Sequence, residues 1–188
     1  MKAKDNPFRS ERVDALAYRA DGFSWEELEG RLQRKGGLGA IVGPEGHGKT
    51  TLLTQWADRR RDAGSRVNFV RIREGQRWLK DFQRAQISLG GWVFIDSAEQ
   101  LSLPGWYEVR WLAVRAEALI ITAHRGGRLP VLFRCQTNPA LLSELVRELT
   151  GESRDCTELW KRHRGNVRMA LRELYDLQTA DGNAAKKV

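Results

Sequence analysis

The stretch Gly43-Pro44-Glu45-Gly46-His47-Gly48-Lys49-Thr50 carries the most chemistry in this chain. It matches G-x-x-x-x-G-K-[ST], the pattern of a phosphate-binding loop. Glycines let the backbone curl until several N–H groups converge on phosphate oxygens, and the start of a following helix adds partial positive charge. Lys49 brings an ammonium to the β and γ phosphates, and the Thr50 hydroxyl is a hard-oxygen ligand for Mg²⁺. The expected nucleotide-binding set is these eight residues and the adjoining Thr51. The second element is Trp92-Val93-Phe94-Ile95-Asp96, an apolar run closed by a carboxylate. An aspartate at the end of a buried strand lies at the sheet edge beside such a loop, where it can hold the metal's water shell opposite Thr50. Thr50 and Asp96 are thus the expected metal residues, with Lys49 and Asp96 catalytic. No N-K-x-D guanine-reading motif is present, so ATP or ADP with Mg²⁺ is the expected cofactor.

The flanking pattern supplies the elements that must hold these residues. Leu38–Val42 reads as a buried strand entering the loop, and 50–63 as a helix leaving it, with Leu52, Leu53, Trp56 and Ala57 inward. Further strands are expected at 67–72, 92–95, 118–122 and 131–135. Helices are expected at 78–89, with Leu79, Phe82 and Ile87 inward, and at 106–115, with Trp106, Val109 and Val114 available for packing. Alternation of this kind implies an α/β fold with a parallel sheet covered on both faces. After residue 137 the strand signals stop. Asn138 can cap a helix beginning at Pro139, Gly151 ends it, and helices near 155–163 and after Gly165-Asn166 follow. The expected organisation is an arm and a Ser24-capped helix over 1–35, a core over 36–137, a helical lid over 138–178 and a frayed tail over 179–188.

Together these residues resemble the P-loop NTPases, and more closely the AAA+ group, over roughly residues 36–177. The overall look is similar to the compact initiator and transposition-helper types. The resemblance implies a five-stranded parallel sheet in the order 5-1-4-3-2 and a small C-terminal helical lid, with ATP between core and lid. It implies that Ala118–His124 ends in the polar sensor residue, with His124 first and Thr122 second for that role. Gly165-Asn166-Val167-Arg168 is similar to the segment whose arginine, Arg168 here, reaches the γ-phosphate. Asn6-Pro7-Phe8 and the helix at Trp25 would sit near the adenine. Arg125, Arg128 and Arg134 lie where a finger for a neighbouring subunit occurs, with Arg128 best placed in its loop. A homo-oligomer is compatible with that.

One departure bears on activity. The family carries a glutamate directly after the strand aspartate, and here that residue is Ser97. Glu99, one helical turn on, is the first substitute for orienting water, followed by Glu74 and Glu45. With Glu99 and His124 in place the expectation is an Mg²⁺-dependent ATPase that couples nucleotide state to a protein partner or nucleic acid. Without an efficient base the chain is a nucleotide-bound adaptor or switch. A small P-loop kinase is the third reading, and no acceptor-binding motif favours it.

Composition bounds the rest. A chain of 188 residues has room for one domain and a small appendage. Net charge is +8, and residues 49–84 hold ten basic against four acidic residues. That stretch, with Arg71, Arg73, Arg77, Lys80, Arg84 and Trp78, could contact nucleic acid, although Trp78 at helical spacing from Phe82 reads better as core. Two cysteines, Cys135 and Cys156, form neither a disulfide framework nor a metal knuckle. No apolar run approaches a membrane span. A reduced, cytoplasmic protein without a membrane partner is expected.

Overall fold

The computed structural model describes residues 6–184, with side chains as far as Ala180. Five parallel strands form one sheet: β1 (Leu38–Val42), β2 (Val67–Arg71), β3 (Gly91–Asp96), β4 (Ala116–Ala123) and β5 (Val131–Arg134). Their order is β2-β3-β4-β1-β5, the order expected. The helices are α1 (Ser10–Asp14), α2 (Trp25–Arg34), α3 (Lys49–Asp62), α4 (Asp81–Ser88), α5 (Leu103–Leu112), α6 (Pro139–Thr150), α7 (Thr157–Arg162) and α8 (Val167–Ala184). The chain falls into two compact units. One holds Asp21–Pro44 and Lys49–Cys135, and the other holds, among the described residues, 6–20, Glu45–Gly48 and 136–184.

In the sheet unit, β1, β3 and β4 are apolar at almost every position because both sheet faces are covered. Successive residues of β3 serve opposite faces. Val93 and Ile95 join Ile87 of α4 and Trp106 and Val109 of α5. Trp92 and Phe94 meet Trp56 of α3, with ring centroids 6.4 and 6.0 Å away. The arginine run at the end of α3 finishes this aromatic layer. Arg59 lies over Trp25 at 4.8 Å and Arg60 over Trp92 at 4.0 Å, while Arg60 also pairs with Glu29 at 2.8 Å.

In the helical unit, the Asn138 side chain accepts from the Leu141 amide at 2.7 Å, and Gly151 ends α6 with φ 80°. Leu142, Val146, Leu171 and Leu174 form its core together with Phe8 and Leu16. The N-terminal segment is bound into this unit. Asn6 is fully buried, and its amide donates to the Tyr175 carbonyl at 2.9 Å and to Thr179 Oγ1 at 3.2 Å.

Several expectations need correction. The helix expected from 78 begins at Asp81, and its inward line runs Leu79, Gln83, Ile87. Gln83 fills that line because it donates to the Arg71 carbonyl at 3.0 Å and accepts from the Lys80 amide at 2.9 Å. Phe82 is therefore turned outward, and Trp78 is exposed as well. The helix expected from 106 begins at Leu103, where Ser102 caps it and Pro104 suits its first turn. Val114 then falls past its end and is exposed. Helix α2 belongs to the sheet unit and the residues before Asp21 to the helical unit. Helix α8 runs to Ala184, so 179–184 are helical, and the remainder of the expected tail lies outside the described residues.

Candidate functional site

Strand β1 delivers the glycine loop, and α3 begins at its lysine. Gly46 and Gly48 adopt φ values of 74° and 83°, the left-handed backbone that a curled loop demands. Lys49 is buried, and its Nζ donates to the Pro44 carbonyl across the loop at 2.7 Å. Glu45 is exposed and Thr51 half-buried.

At the foot of the loop, Thr50 Oγ1 lies 3.1 and 3.2 Å from the two Asp96 carboxylate oxygens. Asp96 is buried and holds further partners. Thr122 on β4 donates to its Oδ1 at 2.7 Å, and Arg71 on β2 donates to its Oδ2 at 3.2 Å. The register explains this gathering, since Arg71 is paired with Asp96 across β2 and β3. Thr122 Oγ1 also accepts from the Ser97 amide at 2.7 Å. One buried hydroxyl therefore fixes both the carboxylate and the backbone after it. Thr122 is thus the sensor candidate that touches Asp96, and that contact was not legible before β3 and β4 were in register.

Ser97 has φ 62° and ψ 44°, a left-handed conformation uncommon outside glycine, and it opens a 3₁₀ turn over Ala98–Gln100. Glu99 sits in that turn. His124 Nε2 lies 3.5 Å from Glu99 Oε1, while Glu99 Oε2 is buried and without a hydrogen-bond partner among the described residues. Glu74 is exposed. Arg128 is half-buried. Its guanidinium donates to the carbonyls of Ala98 (2.7 Å) and Leu101 and lies 5.3 Å from the Trp106 ring. Desolvation lowers its pKa from the ordinary arginine value. Arg125 and Arg134 are exposed.

In the helical unit, the loop tip meets the turn before α8. Thr137 Oγ1 donates to the Gly165 carbonyl at 2.7 Å, accepts from Trp160 Nε1 at 3.1 Å and lies 3.4 Å from His47 Nδ1. Asn166 caps α8 by accepting from the Met169 amide at 3.0 Å. Arg168 is exposed in the first turn of α8.

The basic stretch 49–84 is not one open face. Arg71 is held by Asp96, Arg84 by Glu108 and Asp81, and Arg61 by Asp58. Both cysteines are buried, and neither forms a disulfide. No group of three or more His, Cys, Asp or Glu residues suited to a metal occurs among the described residues, and no described helix is long and apolar enough to cross a membrane. The hydroxyl and carboxylate of Thr50 and Asp96 nevertheless fit Mg²⁺, which takes one or two protein oxygens and draws the remainder from phosphates and water.

Neither a protein-family model nor a curated protein sequence matches the chain. Among solved structures it is similar to the crystal structure of a DNA replication initiation factor, with a TM-score of 0.57 and 17% identity. The match covers 89% of this chain and 66% of that one, so the chain spans just under two thirds of that protein's length. At this identity the likeness shows a shared fold. The class defined here is an α/β fold with a parallel 2-3-4-1-5 sheet and the glycine loop after β1, which lies between β4 and the edge strand β5.

Proposed function

We propose that the chain is an AAA+-type ATP-binding protein that hydrolyses ATP with Mg²⁺ and couples nucleotide state to a protein or nucleic-acid partner. The observation that carries this reading is Thr50 Oγ1 at 3.1 Å from the Asp96 carboxylate, at the foot of a complete phosphate loop. In this reading the loop amides and Lys49 bind phosphate, with Lys49 exchanging the Pro44 carbonyl for phosphate oxygens. Thr50 and Asp96 hold the metal, which supplies charge neutralisation at the phosphates when bound. Thr122 positions Asp96. Glu99 orients water, supported by its unused buried oxygen, and His124 stands beside it. Arg168 reports the γ-phosphate, and the exposed Arg125 and Arg134, ahead of the internally bonded Arg128, are the candidates for a neighbouring subunit. The solved neighbour is a DNA replication initiation factor, which favours nucleic acid among the partners.

Ser97 favours a second reading, a nucleotide-bound switch with little turnover, because no carboxylate directly follows Asp96. Magnesium-dependent ATP binding and turnover, measured with and without DNA, separate the two. Lys49→Ala should abolish binding, and Glu99→Gln should keep binding while lowering turnover by about 10²-fold or more. Tight binding with negligible turnover in every condition selects the switch. ATP binding that survives Lys49→Ala undamaged defeats both.

A further inference from the structure

Helix α5 turns Gly105, Trp106 and Val109 to the core. Its opposite side is just as apolar. Leu103, Tyr107 and Trp111, and Val114 in the turn that follows, recur at spacings of four, four and three. They are 67, 70, 75 and 77% exposed. A surface helix ordinarily carries polar residues on its outer side, and one that is apolar all round is ordinarily buried. This line is about 16 Å long at 1.5 Å per residue.

Helix α4 widens the patch. Arg84 on α4 clasps Glu108 on α5 at 2.7 Å, and Ser102, the cap of α5, donates through both its amide and its hydroxyl to the Arg77 carbonyl. Trp78 and Phe82, on either side of the α4 start, are 53 and 60% exposed. With about 150–250 Å² per aromatic side chain, the four exposed rings alone leave roughly 500 Å² open. That is within the roughly 300–600 Å² of the largest apolar patch on a monomer, a patch that is often functional, and more than half of the roughly 800 Å² that a specific interface takes from one partner.

The charge around the patch is one-sided. Arg77, Lys80, Arg110 and Arg115 are exposed, and none of them forms an ion pair among the described residues. Asp81 and Glu108 are both held by Arg84, and Glu74 is the other exposed carboxylate of the 71–89 stretch. The surface therefore asks for an apolar occupant with acidic edges. Its geometry selects between classes. Bases stack on aromatic faces, but this line begins in Leu103 and ends in Val114, and branched aliphatic ends offer grooves for a second helix rather than stacking planes.

We propose that the outer face of α4 and α5 is a docking surface for a partner protein that presents an amphipathic helix with acidic flanks. Trp111 would be its central anchor, consistent with the weight of Trp and Arg in interface energetics. The assignment goes beyond the nucleotide site and does not depend on it.

The test uses the full chain, ¹⁵N-labelled, with the indole N–H signals of Trp78 and Trp111 assigned by Phe substitution. The probes are a synthetic helical peptide with a leucine stripe flanked by glutamates, the same peptide with lysines for the glutamates, and single-stranded oligothymidine. The glutamate peptide should bind and move both indole signals, and the lysine peptide should bind at least about tenfold more weakly. Trp111→Ser and Arg110→Glu, both at exposed positions, should each weaken the glutamate peptide about tenfold or more, with ATP binding unchanged. Absent or equal binding of the two peptides overturns the proposal, as does binding indifferent to Trp111→Ser. Indole shifts produced by oligothymidine, or by raising protein concentration alone, replace the partner helix with nucleic acid or a second copy. Loss of ATP binding in Lys49→Ala leaves this result untouched.

Discussion

Thr122 is the residue on which the most depends. Its hydroxyl donates to Asp96 and accepts from Ser97, and it is buried. Thr122→Val keeps the shape but leaves the half-buried Ser97 amide unpaired and a carboxylate with one partner fewer. We expect a loss of about 1–3 kcal/mol in urea unfolding, and weaker Mg-ATP binding. Thr122→Ser, which keeps the hydroxyl, should restore most of both. A second residue-scale prediction concerns acid. Glu173 lies 2.6 Å from His163 and pairs with Arg162. The hydrogen bond with His163 is the chief cause that holds its pKa below the ordinary glutamate value. A carboxyl whose folded pKa is depressed adds stability above its unfolded pKa, about 4.3, and that stability is lost as pH falls through the folded value. The Tm gap between the wild type and Glu173→Gln should therefore be open near neutral pH and close in acid. A gap that persists unchanged once the carboxyl is protonated would count against the ion pair.

At the scale of elements, the loop tip and the cap of α8 depend on each other. A Cβ on Gly46 would come within 1.9 Å of Asn166 Oδ1, at a backbone φ of 74°. Asn166 would have to leave the Met169 amide that it caps. Loss of the cap and the left-handed strain together cost about 2 kcal/mol. For a chain of this size Gly46→Ala should lower Tm by about 4–8 °C. The strands and the glycine loop were legible in the sequence, because buried parallel strands are continuous apolar runs and the loop pattern is rigidly spaced, whereas the strand order followed only from the family resemblance. Helix faces were less so. Phe82 fits an inward position by spacing alone, and only the hydrogen bonds of Gln83 to Arg71 and Lys80 make a polar residue the better occupant. The start of α5 was missed although Ser102 and Pro104 mark it. The gathering of Arg71, Thr122 and Thr50 around Asp96 could not be read before register joined three strands and a helix.

On the scale of the whole chain, the helical unit is built from both sides of the sequence. Asn6 and Tyr175 are 169 positions apart, yet they share a hydrogen bond. Phe8 is packed among residues of α6 and α8. Such long-range closure makes the N-terminal segment part of the core, and local sequence alone reads it as an arm. Phe8→Ala should cost about 3 kcal/mol, within the usual range for a buried phenylalanine. Equilibrium urea unfolding measures this. A cost below about 1 kcal/mol would mean that Phe8 contributes little to the packing.

The left-handed backbone at Ser97 also constrains protein engineering. Installing the customary glutamate after Asp96 looks like a one-codon repair, but a long side chain there inherits φ 62°. Only glycine, and to a lesser degree asparagine or aspartate, takes that conformation readily. The amide of residue 97 must also keep donating to Thr122. A designer would have to replace the turn through Gln100 as a block, so that the backbone after β3 continues extended, and would lose the present placement of Glu99 in doing so. The position of the carboxylate in this chain is thus a property of the turn and cannot be revised one letter at a time.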